Sequence, residues 1–400
     1  MSEMISLKKL GEVCHFVRGP FGGSLKKSCF KDEGNAVYEQ QHAIYNQFSE
    51  IRYYVDDNKF EEMKRFELLT GDLIMSCSGT MGKVAIVPEN IKIGIINQAL
   101  LKLTTSTQLD VEYLRYWMIS DDFQDSLAKH TVGAAIKNVA SVKVLKQIEI
   151  PLPPLPEQQR IVAILDKAFT SIATAKENAQ QNLLNAKELF ESYLQNVFEN
   201  KGDVWEKKRL DEVCKITSKL IDPKESQYKD LIHIGAGNIV SEKGTLIDLK
   251  TAKEENLISG KFLFDESMVL YSKIRPYLKK IVKCEFKGLC SADIYPLVPY
   301  KDKMIQSFLY HLLSSNHFTE YAIEGSQRAG MPKVNRKHLF EYSFSLPPIK
   351  EQQQIVKKLN SLSAETKKLE GIYQQKINDL EELKKSVLEK AFKGELKIVN

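Results

Sequence analysis

Two stretches of the chain carry a heptad pattern of apolar positions. The first runs Ile161, Leu165, Ala168, Ile172, Ala175, Ala179, Asn182, Ala186, Leu189, Tyr193. The second runs Ile355, Leu359, Leu362, Thr366, Leu369, Tyr373, Lys376, Leu380, Leu383, Val387. Spacings of four and three alternate over several turns, which is the period of a coiled-coil seam. Leu183, Leu184, Ile372 and Ile377 widen the stripe, which suits packing against more than one partner. Pro151, Pro153, Pro154 and Pro156 block helix ahead of Glu157, so a helix start is predicted there. A helix of roughly 40 residues extends about 60 Å, too far for burial in one globule. The pattern predicts that the two helices pack antiparallel as a spacer, in preference to folding back on their own domains. Elsewhere the apolar runs are short and mixed. Gly71–Ser76, Val84–Val87, Met268–Ser272 and Ile281–Cys284 read as strands, and Val111–Ser126 and Ile305–Tyr321 as amphipathic helices.

The sequence is written twice. Residues 152–162, LPPLPEQQRIV, return as LPPIKEQQQIV at 346–356, 194 positions later and without a gap. The match continues through Leu165 and Leu359, Leu189 and Leu383, Leu194 and Leu388, and Phe198 and Phe392. Leu7–Cys14 parallels Lys207–Cys214 at the front of each half. The middles correspond weakly, Gly71–Ser76 with Ser267–Ser272 and Asn97–Leu103 with Ser291–Leu297. This period far exceeds that of a solenoid repeat. The expected fold class is α+β: two mixed α/β domains separated by two long antiparallel coiled-coil helices, in a pseudo-two-fold plan. The expected divisions are 1–150, 151–202, 203–345 and 346–400. Lys393-Gly394 leads only into Glu395–Asn400, whereas Lys201-Gly202 leads into a strand-like run that the chain's own Ile5–Leu10 resembles. A circular arrangement follows, with the C-terminal tail beside the N-terminus.

Length fits two or three domains, since single cores stop growing at roughly 250–300 residues. A formal charge of +5 permits a nucleic-acid partner without arguing for one. The six cysteines include no C-x-x-C and no zinc spacing with histidine. No signal sequence opens the chain and no apolar run is long enough to span a bilayer, so a reduced cytoplasmic protein without a membrane partner is expected.

The motifs of a free-standing enzyme are missing. Neither Pro153-Pro154 nor Pro347-Pro348 has the neighbours of a methyltransferase loop, and both start helices. Gly235-Ala236-Gly237-Asn238 lacks the third glycine of a dinucleotide site and reads as a tight turn; Gly79–Val84 lacks the Ser/Thr and spacing of a P-loop. The spacing of Asp265, Glu266 and Asp293 does not distinguish them from surface acids. No catalytic or metal site is expected.

Basic, amide-bearing loops are present in both halves. In the second they hold Lys273, Arg275, Tyr277, Lys279 and Lys280, then Arg328, Lys333, Asn335 and Arg336. In the first they hold Arg18, Lys26, Lys27, Gln40, Gln41, Ser78, Thr80, Lys83, Lys137 and Asn138. Lys and Arg neutralise phosphates, while Arg, Asn and Gln also read base edges. Singly, each loop reads as a solvated surface; their recurrence at comparable places in both halves favours DNA.

Two dissimilar domains, each followed by L-P-P-x-x-E-Q-Q and a long heptad helix, resemble the specificity (S, HsdS) subunits of type I restriction–modification systems. The resemblance covers essentially the whole chain. Leu270–Leu278 and Met331–Asn335 look like recurrent pieces of that family's target-recognition domains, as does GDLIMSCSGTMGKVAIV, with Cys77 where Lys is common. The resemblance implies that each domain reads one half of a split site in double-stranded DNA. It implies that the helices act as a ruler and dock two methyltransferase (M) subunits carrying S-adenosylmethionine. Restriction (R) subunits using ATP and magnesium join for cleavage, and this chain binds no cofactor itself. Three rival readings remain: an independent DNA-binding repressor or anti-restriction factor, an enzyme acting alone, and a coiled-coil scaffold without a DNA role. The first predicts tight DNA binding by the isolated chain. The second predicts S-adenosylmethionine binding or cleavage, and the third leaves the basic loops unexplained.

Overall fold

The computed structural model describes residues 6–129, 141–199, 202–216, 219–326 and 331–396. The chain forms two compact units, Met1–Ala179 with Gln375–Asn400, and Gln180–Gln374. Each unit holds one mixed α/β domain together with parts of both long helices, Leu155–Glu199 and Ile349–Phe392. Among the described residues no helix is long and apolar enough to cross a membrane.

In the first unit, the edge ribbon Ser6–Lys9 pairs antiparallel with Glu149–Leu152, so the domain's entry lies beside its exit into the long helix. A four-stranded antiparallel sheet has the order Cys14–Arg18, Leu100–Thr105, Leu73–Ser76, Val84–Ile86. A second sheet orders Tyr54–Val55, Asn35–Tyr38 and Gly94–Ile96, the last two strands running parallel. The second unit repeats this plan, with its second sheet extended to five strands in the order Leu220–Ile221, Lys261–Phe264, Gly288–Cys290, Ile232–Ile234, Lys250–Thr251. Glu206–Arg209 pairs with Ser343–Leu346, and the four-stranded order is Cys214–Ile216, Ile294–Pro299, Val269–Ser272, Ile281–Lys283. Ile232–Ile234 runs parallel to Gly288–Cys290, as the equivalent pair does in the first unit. All four predicted strand regions are strands. Each predicted amphipathic helix is instead two, Val111–Met118 then Asp121–Lys129, and Gln306–Ser314 then Asn316–Glu324. The breaks fall at Ser120 and Ser315. The Ser120 hydroxyl turns back to Trp117 O, and the Ser315 hydroxyl accepts from the Phe318 N–H.

The repeated motif has a structural task. Gln158, fully buried, donates to Gln108 O (2.9 Å) and Pro153 O (2.8 Å) and accepts from Asp110 N (2.9 Å). Gln352, equally buried, donates to Lys303 O (2.8 Å) and Pro347 O (2.8 Å) and accepts from Ile305 N (2.9 Å). One amide thus satisfies three backbone groups that burial would otherwise leave unpaired, and clamps each long helix to the helix of its domain. Below the clamp, Tyr116 Oη bonds Asp166 (2.5 Å) in the first unit, and His311 Nε2 bonds Asn360 (3.1 Å) at the matching place in the second.

In the first unit the long helices run antiparallel, with Lys384 over the Phe169 ring and Lys176 paired to Glu381. In the second unit Lys358 lies over the Tyr193 ring. The end of each helix caps a domain core, Phe392 edge-on to Tyr113 and Phe198 edge-on to Phe308. Leu396 packs on the first core. The expected meeting of the termini falls on residues 1–5 and 397–400, outside the described residues. The buried seam is narrower than the heptad pattern implied. Ile161, Leu165, Ile172, Ala179 and Ala186 are buried, as are Leu359 and Thr366, while Ile355, Leu380 and Val387 are half-buried. Leu189, Leu369 and Leu383 are exposed, because two helices in contact bury one stripe and leave the flanking heptad position open.

Candidate nucleic-acid interface

In the second domain the two predicted basic segments meet. Ile274 bridges Lys333, Arg275 N–H donates to Pro332 O (2.9 Å), and Val334 N–H donates to Lys273 O (2.8 Å). The two short segments form a ribbon beyond the sheet. Arg275 (φ 51°) and Lys279 (φ 44°) take left-handed backbone around Pro276–Leu278, folding the loop back on itself. Arg275, Tyr277 and Arg336 are exposed on this surface. The lysines are occupied within the chain: Lys273 with Ala292 O and Asp293, Lys279 with Asn316 and Glu191, Lys280 with Ala236 O, Lys333 with Asp293. Burial first, and then the neighbouring Lys333 charge, lowers the Lys273 pKa. Asn335 caps the helix Arg336–Glu341 by accepting from the His338 N–H. The Gly235–Asn238 segment is the expected tight turn, closed by Asn238 N–H to Gly235 O (3.0 Å) and Gly235 N–H to Asn238 Oδ1 (2.8 Å).

The first domain builds a matching corner around Asn97–Ala99. Asn97 N–H donates to Tyr38 O (2.8 Å), Cys77 N–H to Ala99 O (2.8 Å), and Ala99 N–H to Asn97 Oδ1 (3.0 Å). Gly19 lies so close that a Cβ there would sit 1.8 Å from Asn97 O, which is why the strand ending at Arg18 needs glycine next. The second domain makes the same three bonds: Ser291 N–H to Ile234 O (2.9 Å), Lys273 N–H to Asp293 O (3.0 Å), and Asp293 N–H to Ser291 Oγ (3.3 Å). Ser76 N–H to Lys83 O and Ser272 N–H to Lys280 O match as well. Cys77 therefore occupies the place of Lys273, as the sequence comparison had it. It is buried, and burial, partly offset by the Arg18 charge, pushes its thiol up to about 12.

Around this corner lie Arg18, Gln40, Gln41 and Ser78, all half-buried, and the exposed Thr80 and Lys83. Arg18 Nε and Gln40 Oε1 are buried atoms with no hydrogen-bond partner. Lys26 and Lys27 are exposed on the loop that follows Arg18. Lys137, Asn138 and Arg328 fall outside the described residues. Sequence spacing did not anticipate the ion pair that Arg52 makes with Glu39 at 3.0 Å. Arg52 stands alone in an Ile-Arg-Tyr-Tyr run, and no spacing rule joins it to Glu39.

Residues 3–185 and 202–382 each match the family model described as the type I restriction modification DNA specificity domain. A stretch of 192 residues is 36% identical to the type I restriction enzyme EcoDI specificity subunit of Escherichia coli, spanning 48% of this chain and 42% of that relative. Over 352 residues, 77% of this chain and 76% of the relative, it is 25% identical to the type I restriction enzyme MjaVIII specificity subunit of Methanocaldococcus jannaschii. A solved chain, from work on complex assembly and conformational transition of the type I R-M system, superposes with TM-score 0.76 at 18% identity, covering 98% of each chain. That likeness establishes the fold.

Proposed function

The chain belongs to the type I restriction–modification DNA specificity family, and on that premise we propose that it is the non-catalytic, DNA-reading subunit of such a system. Each domain reads one half of an asymmetric bipartite site in double-stranded DNA. The observation that carries this reading is the repeated corner, one backbone frame bearing two unlike sets of side chains. The same hydrogen bonds hold Ser76, Cys77 and Asn97–Ala99 in one domain and Ser272, Lys273 and Ser291–Asp293 in the other. Equal frames support binding to the same kind of ligand, and unequal side chains support two different half-sites. Arg275, Tyr277 and Arg336 are the exposed contacts of the second domain. Arg18, Lys26, Lys27, Gln40, Thr80 and Lys83 serve the first.

In this reading the long helices set the gap between half-sites and dock two methyltransferase subunits. The methyltransferases carry S-adenosylmethionine, and restriction subunits, where present, carry ATP and magnesium. The complex works in the cytoplasm. Long-read detection of methylated bases in cells expressing the partner methyltransferase, with and without this chain, tests the proposal. A split motif methylated only when the chain is present is expected. An unchanged methylation pattern, with the methyltransferase expressed, overturns it.

A further inference from the structure

We propose that Arg52 is a guanine-reading residue of the first domain and that Glu39 is its positioning residue; the inference rests on the DNA-recognition reading above. The Arg52 side chain is 61% exposed, yet it is held from two directions. Its Nη2 donates to Glu39 Oε1 at 3.0 Å, and its guanidinium carbon lies 4.6 Å over the Tyr53 ring. That ring stacks on Phe30 with centroids 4.4 Å apart. The backbone beneath is pinned as well: Val37 N–H donates to Tyr53 O at 2.8 Å, and Lys31 N–H donates to Tyr54 O at 2.9 Å. The buried His42 ties the two segments together, with Nδ1 2.9 Å from Glu39 N and Nε2 3.1 Å from Glu50 O.

A long surface side chain normally surrenders rotamer freedom when it binds. Stacking and the carboxylate together set the plane of this fork before any ligand arrives. A guanidinium has five N–H donors, and the bond to Glu39 engages one nitrogen. The rest of the fork suits two acceptors side by side, which in the major groove is the O6/N7 edge of guanine. The Glu39 side chain is only 13% exposed, so the pair also neutralises a largely buried carboxylate, while the guanidinium itself stays open to solvent. The position fits too. Glu39 follows Tyr38, whose carbonyl receives the Asn97 N–H at the centre of the corner. The unpartnered Arg18 Nε and Gln40 Oε1 border the same corner, polar atoms that the chain itself does not satisfy.

The test uses the chain in cells with its methyltransferase and reads the methylated motif. Arg52→Ala and Arg52→Lys are each expected to lose discrimination at a single guanine by roughly 5- to 150-fold, the span of a bidentate base contact. The change should fall in the half of the motif that Arg275→Ala leaves intact. Glu39→Gln should relax the same position by a smaller factor, and adding it to Arg52→Ala should change nothing further. An Arg52→Lys chain that keeps the original motif overturns the assignment, because a phosphate contact tolerates lysine and a bidentate one does not. Relaxation by Glu39→Gln at a different position overturns the positioning role. If Arg52→Ala fails to assemble with the methyltransferase, Arg52→Lys decides alone. Absence of any split motif with the unaltered chain overturns the DNA-recognition reading and this inference with it.

Discussion

Gln158 and Gln352 were legible as a repeated motif but not as clamps. A glutamine in the first turn of a helix looks like solvated helix surface. Its burial follows only once a loop from 108–110 or 303–305 closes over it. Gln352→Ala leaves Ile305 N–H and the Lys303 and Pro347 carbonyls without their partner, at a cost of about 2–4 kcal/mol. Gln158→Ala should cost a similar amount. Urea unfolding of the two variants checks this, and a loss below about 0.5 kcal/mol in both would contradict the clamp. His311 makes a second prediction. It is 3% exposed, and burial depresses its pKa to about 4, opposed in part by the bond to Asn360. The unfolded imidazole titrates near ~6.5, so between these values the unfolded state binds the extra proton. The stability from keeping His311 neutral is therefore complete above about pH 6.5 and is lost as pH falls towards 4, by up to about 3 kcal/mol. His311→Gln should melt with a shallower fall between pH 7 and pH 5. An identical slope would refute the assignment.

The long helices show how far periodicity carries. Existence and approximate length follow from prolines and heptads alone; the first helix starts at Leu155, two residues before the expected Glu157, because a proline is tolerated in the first turn of a helix. Which heptad position is buried does not follow, because both look apolar until a partner is placed. Leu165 and Leu359 are fully buried, whereas Leu189 and Leu383 are 52% and 48% exposed although they are equivalent residues of the two repeats. Exposed leucines at matching places suit two copies of one partner. Replacing both Leu189 and Leu383 with Glu should leave the melting temperature within a few degrees yet abolish co-purification with the methyltransferase. Retained co-purification would move the docking face elsewhere on the helices. Ser120 and Ser315 teach the opposite lesson: a single amphipathic stripe concealed a break, because a serine in the stripe can cap or turn a helix without disturbing its period.

At the scale of the molecule, duplication is the organising fact. Each unit is completed by the end of the other repeat's helix, Phe392 on Tyr113 and Phe198 on Phe308. The ruler role proposed for the helices makes a direct prediction. Deleting one heptad from each long helix shortens the pair by about 10 Å, roughly three base pairs of duplex. The methylated motif should show a changed gap, or methylation should cease because the half-sites fall on different faces of the DNA. The original gap would rule out the ruler.

By itself the sequence determined the family resemblance, the two mixed domains, four of the strands and the two long helices. These rest on local signals, period and proline placement, that survive without knowledge of the partner surface. Tertiary structure alone decided that residues 273–275 lie beside 332–334, that Gln158 and Gln352 are buried, and that Arg52 is seated against Glu39 and Tyr53. The reason is physical. Hydrogen bonds and ring stacking join residues by distance in space, and no regularity of spacing along the chain records those distances.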